Sequence, residues 1–451
     1  MDIHIPRPRW FAARNLAHPS ALADTLRVDL SKASLGVPLR VGAAVGVVLV
    51  VGGLLGQFSL AGFAALGALV SAFCRPDPYR VRFGRLVVMG VGLVVSLVCG
   101  AVLGAMSASI WTEIAVLSLL GGVASLLIGA LHVTGPGAVV FVFGATGSVG
   151  FAQDFGDVGR VAVATVIGVV CGVAASMSPW IVGVVRRGLG VVASWLSARR
   201  TLRDPRSSVA SASGIKMIGR SSGASASGIK KVGRSSGASE SGIKKVGPEG
   251  DVSGVKEGGR GGAVSGVKEG GPAATQVAYE SVWTCLTRRP HADQVHTALR
   301  IVVASGISGA VAVAIGLSHP LWASMGAVAA MQGIRYHRTV QRGIARLVGN
   351  VVGGVIAAAL LALPLGQWGA IVAIIVLQII AEICAPWNYA ITSAVVTPMA
   401  LMMTALSVGL DPSIAVDRVL DTLIGVVIGI VIALLTVTRP DIDGILESTA
   451  G

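Results

Sequence analysis

Arg342 and Arg346 stand four residues apart in Gln341-Arg-Gly-Ile-Ala-Arg-Leu-Val-Gly349, at the start of a long apolar run. On a helix that spacing puts both guanidinium groups on one face. There they can collect an organic carboxylate through charge-assisted hydrogen bonds, or snorkel to lipid phosphates and mark an interface. Upstream, Trp322 offers an aromatic surface to a substrate ring or simply anchors at the membrane boundary. His319, beside Pro320, can relay protons near neutrality or start a helix at a turn; Gln332 lies between this pair and the arginines. Ionisable groups inside apolar runs are costly and are functional candidates for that reason. Glu382 and Asp421 are two of these, able to take up a proton from one side and release it to the other. Asp421 also follows Arg418 by three residues and can pair with it on one helical face. Glu113 sits at the end of another run, and Arg160 and Arg418 can hold neighbouring loops through Asp157 and Asp417.

Other chemistries have no foothold. The dipeptide Gly-Lys never occurs, so the chain has no ordinary phosphate loop, and His-Glu-x-x-His is absent. Cys74, Cys99, Cys171, Cys285 and Cys384 form no close pair, which suggests neither a disulfide framework nor a zinc site. The expectation is a non-enzyme with no catalytic residues, no metal and no cofactor.

What must position the candidate residues is a bilayer fold. With 53% hydrophobic and 13% charged residues, and a mean hydropathy of +0.78, the 451-residue chain is too apolar for a soluble protein. About 20 apolar residues at about 1.5 Å each cross a hydrocarbon core of about 30 Å. Windows of that kind predict spans near 38–57, 58–74, 85–106, 110–131, 135–152 and 160–186, and again near 298–317, 320–333, 346–364, 367–385, 388–409 and 418–438. Glycines spaced by four, at 42/46, 100/104, 168/172, 349/353 and 425/429, predict closely packed helix backbones.

The two blocks repeat one another. Thr165-Val-Ile-Gly-Val-Val-Cys-Gly172 returns as Thr422-Leu-Ile-Gly-Val-Val-Ile-Gly429, and Phe63-Ala-Ala-Leu-Gly-Ala68 as Trp322-Ala-Ser-Met-Gly-Ala327. An even number of spans per copy makes the repeat parallel, about an axis along the membrane normal, an arrangement common in transporters. The arginines at 75, 80, 82 and 85 and at 335, 338, 342 and 346 fall in loops on one side, and Asp154, Asp157, Asp411 and Asp417 on the other. The positive-inside rule then places both termini in the cytosol.

The fold expected is all-α: a polytopic bundle of two parallel repeats, each of about six transmembrane helices. Residues 1–37 form a cytosolic segment, 38–186 the first repeat, 187–297 a cytosolic low-complexity linker, 298–438 the second repeat and 439–451 a cytosolic tail. The linker carries tandem copies of Ser-Ala-Ser-Gly-Ile-Lys starting at 211 and 225, and no aromatic residue between Trp195 and Tyr279. Too little apolar surface is available to offset ordering entropy, so disorder is expected there. Its basic residues favour anionic lipid of the inner leaflet, and without interleaved aromatics or a folded module they do not point to nucleic acid.

The run His319-Pro-Leu-Trp-Ala323, followed by Gln341-Arg342, three residues, Arg346, two residues and Gly349, resembles the fusaric-acid-resistance-like family, which is related to aromatic acid exporters. Asn350 stands where that family commonly has Thr, and the first copy has Phe63 in place of Trp322 and no His-Pro pair. The resemblance implies an inner-membrane efflux protein for small aromatic or amphipathic organic acids. On that reading Trp322, Arg342, Arg346, His319 and Gln332 bind substrate and Glu382 and Asp421 couple its export to proton movement. A passive organic-anion pathway, and a non-transporting scaffold for envelope assembly, remain open alternatives. Homo-oligomerisation through glycine faces is also compatible with the sequence.

Overall fold

The computed structural model describes residues 35–203, 281–332, 336–408 and 414–436. The expected cytosolic N-terminal segment up to residue 34, the tandem repeats and the tail from 439 lie outside the described residues. Thirteen α-helices follow in order among those described: α1 Gly36–Leu54, α2 Phe58–Ala68 with a 3₁₀ turn Leu69–Ala72, α3 Tyr79–Ala105, α4 Ile110–Ala130, α5 Val139–Phe151, α6 Phe155–Arg203, the short α7 Val282–Thr287, α8 Ala292–Ala314, α9 Pro320–Met331, α10 Tyr336–Ala362, α11 Gly366–Cys384, α12 Tyr389–Val408 and α13 Ile414–Leu435.

All twelve expected apolar segments are helical, but they are not equal. Among the described residues nine helices are long and apolar enough to cross a membrane, while α2 with its 3₁₀ turn, α5 and α9 are shorter. The 13 residues of α5 and 12 of α9 reach only about 18–20 Å at about 1.5 Å per residue, short of a full crossing. The protein is a multi-pass membrane protein.

Local signals account for several boundaries. Ser109 caps α4, its hydroxyl accepting from Thr112 N at 3.3 Å, and Pro320 occupies the first turn of α9 behind His319, where its missing N–H is harmless. Inside α6, Pro179 cannot bond the Ala175 carbonyl; the Ser178 hydroxyl donates to that oxygen at 2.8 Å instead. This helix does not stop at the expected boundary of 186 but continues to Arg203, because after Pro179 no further proline occurs before Pro205. Likewise α7 and the first turns of α8 occupy part of the stretch 282–297 assigned to the linker; Ser281 and His291 cap them.

Within the compact unit that holds the described residues up to 186 and from 281 onward, packing follows a reciprocal scheme. α1 lies on α2 as α8 lies on α9, α3 on α5 as α10 on α12, and α4 on α5 as α11 on α12. Across the blocks α4 packs along α8 while α11 packs along α1, and α5 touches α9 while α2 touches α12. The duplicated glycines explain the match between α2–α6 and α9–α13. A Cβ at Gly168 would come within 2.7 Å of the Ala64 carbonyl carbon, and one at Gly425 within 2.7 Å of Ala327 N. Neither contact admits a side chain, so the backbones cross directly.

Candidate functional site

The head of α9 gathers four side chains that could react to charge. The His319 imidazole stacks on the Trp322 indole, centroids 4.5 Å apart and planes 15° off parallel. His319 Nδ1 lies 3.3 Å from Asp417 Oδ2 at the start of α13. From the very next residue, the Arg418 guanidinium sits over the same indole at 4.9 Å from its centroid, a cation–π contact in a buried setting. The π surface of Trp322 is therefore already used by a histidine and an arginine, and any further ring would have to approach the residue from elsewhere.

That approach is a cavity of about 380 Å³ between the blocks, walled by Phe63, Phe143, Phe151 and Trp322 with Glu113, His319 and Thr404 at its polar points. It draws on α2, α4 and α5 from the first block and α9 and α12 from the second. Phe63 and Phe151 meet edge to face at 5.0 Å. Predominantly apolar walls with a few convergent polar groups, at a volume within about 300–1,000 Å³, are the usual form of a small-molecule site. Phe63, the first-copy counterpart of Trp322, thus faces the same space as Trp322 itself.

From Trp322 a column of polar side chains runs through the second block. Arg418 and Asp421 are 4% and 1% exposed. Neither Asp421 oxygen has a hydrogen-bond partner, nor do Arg418 Nε and Nη1; Arg418 Nη2 reaches only Met325 Sδ at 4.0 Å. Arg346 lies within electrostatic reach of Arg418, and its Nε is also unpartnered. Between α10, α12 and α13, the fully buried Asn350 donates to the Thr422 hydroxyl and accepts from Thr397 Oγ1 at 2.6 Å. Arg342 donates to Gln332 Oε1 at 3.2 Å and lies over the Tyr389 ring at 4.2 Å. Gln332 packs against Gly137 of the α4–α5 connection, whose φ of +88° and lack of a Cβ make room for it.

Glu382 lies apart from this column. It forms an ion pair with Arg75 of the first block and accepts from Gln378 Nε2 at 3.1 Å, so a stretch joining α2 to α3 is tied to the end of α11. Burial pulls the Arg75 guanidinium below its ordinary range. Asp77 of the same connection pairs with Arg85 of α3 at 2.9 Å, both buried.

Of the residues singled out in sequence, His319 and Trp322 come together with the cavity, and Gln332, Arg342 and Arg346 come together at the other end of α9 and α10. Asp421 faces the interior, and Glu382 is engaged elsewhere. Arg418, Asn350, Tyr389 and Phe63 complete the set and were not singled out as site residues. The expectation for Arg160 and Arg418 divides. Arg160 pairs with Asp157 at 2.8 Å with its side chain 62% exposed, whereas Arg418 turns inward and Asp417 meets His319. Arg160 precedes Thr165 by five residues and Arg418 precedes Thr422 by four; one residue rotates a helical side chain by about 100°. In the register of Gly168 and Gly425, Arg418 and Asp421 fall opposite Val161 and Ala164. Arg346-Leu-Val aligns with Arg85-Leu-Val, which puts Asn350 opposite Met89. The polar column belongs to the second block alone.

Comparison with known proteins agrees with the motif at 319–353. Residues 307–432 match the family described as Fusaric acid resistance protein-like. Over 143 residues the chain is 27% identical to the uncharacterized membrane protein YvaC of Bacillus subtilis (strain 168), a match covering 32% of this chain and 22% of that protein. The chain thus spans about a fifth of the length of this curated relative. No solved structure matches.

Proposed function

We propose that the protein is a secondary transporter that exports small aromatic or amphipathic organic acids across the cytoplasmic membrane, coupled to proton movement. The observation that carries this reading is the aromatic-walled cavity between the blocks, backed by buried guanidinium groups in a membrane protein. An aromatic ring moved from water into such walls gains about 2–3 kcal/mol, and from the cavity edge His319 and Trp322 lead to Arg418 behind them. The match of 307–432 to the fusaric-acid-resistance-like family supports the substrate class.

The reciprocal packing of α4 on α8 and α11 on α1 supports two parallel repeats about a shared axis, and the clustering of arginines in one set of connections is the reason to place these and both termini on the cytosolic side. The blocks have different tasks: the first supplies an apolar wall through Phe63, Phe143 and Phe151, and the second supplies charge through Arg342, Arg346, Arg418 and Asp421. Asp421 is the proton-coupling carboxylate, while Glu382 acts through its ion pair with Arg75. That ion pair is also what favours a passive anion pathway as the second reading, since it removes one of the two carboxylates from proton traffic. The test is accumulation of labelled hydroxybenzoate in cells with and without the protein. Lower accumulation in cells that have it, lost on adding an uncoupler, supports coupled export; lower accumulation that survives the uncoupler supports the passive pathway; equal accumulation refutes both.

A further inference from the structure

We propose that Arg346 and Arg418 together form a carboxylate-binding site inside the membrane, and that Asp421 is the resident anion which a substrate carboxylate displaces as Asp421 takes up a proton. The physiological use of this exchange rests on the transport reading; the binding chemistry does not.

The geometry points to a site that its own residues leave incomplete. Arg346, Arg418 and Asp421 are 7%, 4% and 1% exposed. Each guanidinium carries five N–H donors, yet Arg418 Nε and Nη1 and Arg346 Nε donate to nothing, and both Asp421 oxygens accept nothing. Buried ions ordinarily persist only when paired and hydrogen-bonded. With Asp417 also acting on Asp421, the two guanidinium groups face two carboxylates and the empty site is neutral, so a further carboxylate enters without excess negative charge only when one carboxyl takes up a proton. A bidentate organic carboxylate matches the planar fork of an arginine.

The other charged groups around Asp421 come from its own helix and three others. On α13 itself Asp417 and Arg418 act on it, and Asp417 is also beside His319. From α9 the nearest ionisable group is that same His319. From α10 it is Arg346, whose guanidinium shares the Tyr389 hydroxyl with Arg342, and Arg342 a turn beyond also holds Gln332. From α8 it is Arg300, which donates to the Ala433 carbonyl at 3.4 Å, three turns along α13, with His296 and Asp293 farther still.

The exchange balances. An ionised Asp421 neutralises one guanidinium in the empty site. When a carboxylate enters, it takes that role, and Asp421 binds one proton, so the charge of the site is unchanged and no desolvated anion is left unpaired. Binding is thereby linked to uptake of one proton, and affinity weakens as pH rises, by up to about tenfold per pH unit.

The experiment uses the purified full chain in lipid nanodiscs with benzoate as probe. Calorimetry in buffers of different ionisation enthalpy reads the protons taken up, and affinity is measured across neutral and alkaline pH. About one proton taken up per benzoate, with affinity falling as pH rises, is the expected result for the natural protein. Asp421→Asn binds benzoate as tightly or more tightly with no proton uptake and no pH dependence. Arg418→Gln loses at least about tenfold in affinity, the equivalent of one lost charge-assisted bond. His319→Gln keeps the pH dependence. Proton uptake of zero in the natural protein, or an unaltered pH dependence in Asp421→Asn, overturns the proposal without any arginine variant having to fold. Should benzoate bind as described while vesicles show no flux, the site stands and the transport reading falls. If flux occurs and ignores Asp421→Asn and Arg418→Lys, transport stands and the site falls.

Discussion

Replacing Glu382 by Gln removes one end of the ion pair that ties the α2–α3 connection to α11, and the structure sets the size of the effect. Glu382 is 8% exposed in its side chain and Arg75 27%. Removing one partner of a fully buried pair costs about 3–5 kcal/mol, because the other charge is stranded. Arg75 is not fully stranded: its guanidinium is a quarter exposed and its Nε keeps the Ala72 carbonyl at 3.1 Å. The carboxamide oxygen of the Glu382→Gln variant would also still accept from Gln378. The expected loss is therefore about 1.5–3 kcal/mol, with Arg75→Gln costing less because Glu382 can become protonated in its place. The coupling energy between the two positions, from a double-mutant cycle of detergent unfolding, is expected at about 1–2 kcal/mol, at the upper end of polar pairs measured inside membranes. Single losses that add to within about 0.5 kcal/mol in the double variant would falsify the ion pair as a tie between the blocks. The same variants separate structure from coupling: Glu382→Gln keeps proton-dependent flux, whereas Asp421→Asn uncouples it.

Three further outcomes follow from particular contacts. Gly425→Val, whose Cβ would lie 2.7 Å from Ala327 N, forces α13 away from α9 and costs about 1–3 kcal/mol in thermal unfolding; Gly159→Val, with open space around it, leaves the melting curve unchanged, and equal effects would contradict the packing. Asn350→Leu removes the acceptor of Thr397 and the donor to Thr422, and lowers stability by about 1–2 kcal/mol, while Met89→Leu at the matching place in the first block stays within about 1 kcal/mol. Burial and the neighbouring Asp77 push the Cys74 thiol up to about 12. Because the thiolate is the nucleophile, and its population is present only above that value in the folded chain, maleimide at neutral or mildly alkaline pH labels Cys74 after unfolding but not before; labelling of the folded protein at the rate of the half-buried Cys99 would refute the placement.

Helices were the legible part of this sequence. Each apolar run identified a helix, but charged first turns hid the starts of α3, α8 and α10, which begin at Tyr79, Ala292 and Tyr336 rather than at 85, 298 and 346, and α6 continues without a stop signal to Arg203. The recurring Gly168 and Gly425 signalled close crossings because small residues have one physical use in lipid. The site was legible in pieces. Trp322, His319 and the arginine pair stood out by type and spacing, but their partners are set by rotation about helix axes and by distant chain. A one-residue offset sends Arg160 to the surface and Arg418 inward, a difference invisible to hydropathy. Glu382 and Arg75 are 307 positions apart, so no local pattern announces their contact. Asn350 departs from the residue common in the resembled family, yet as a buried donor and acceptor it joins three helices, which a hydroxyl with a single proton joins less completely.

Organic acids are proposed to move together with protons past the buried guanidinium groups and the aromatic cavity. Reconstituting the full chain in sealed liposomes and following labelled benzoate under an imposed pH gradient tests this movement most directly. Concentrative flux that follows the gradient, collapses with an uncoupler and loses its gradient dependence in Asp421→Asn is the predicted result. Benzoate movement no faster than in protein-free liposomes, at any gradient, would contradict it.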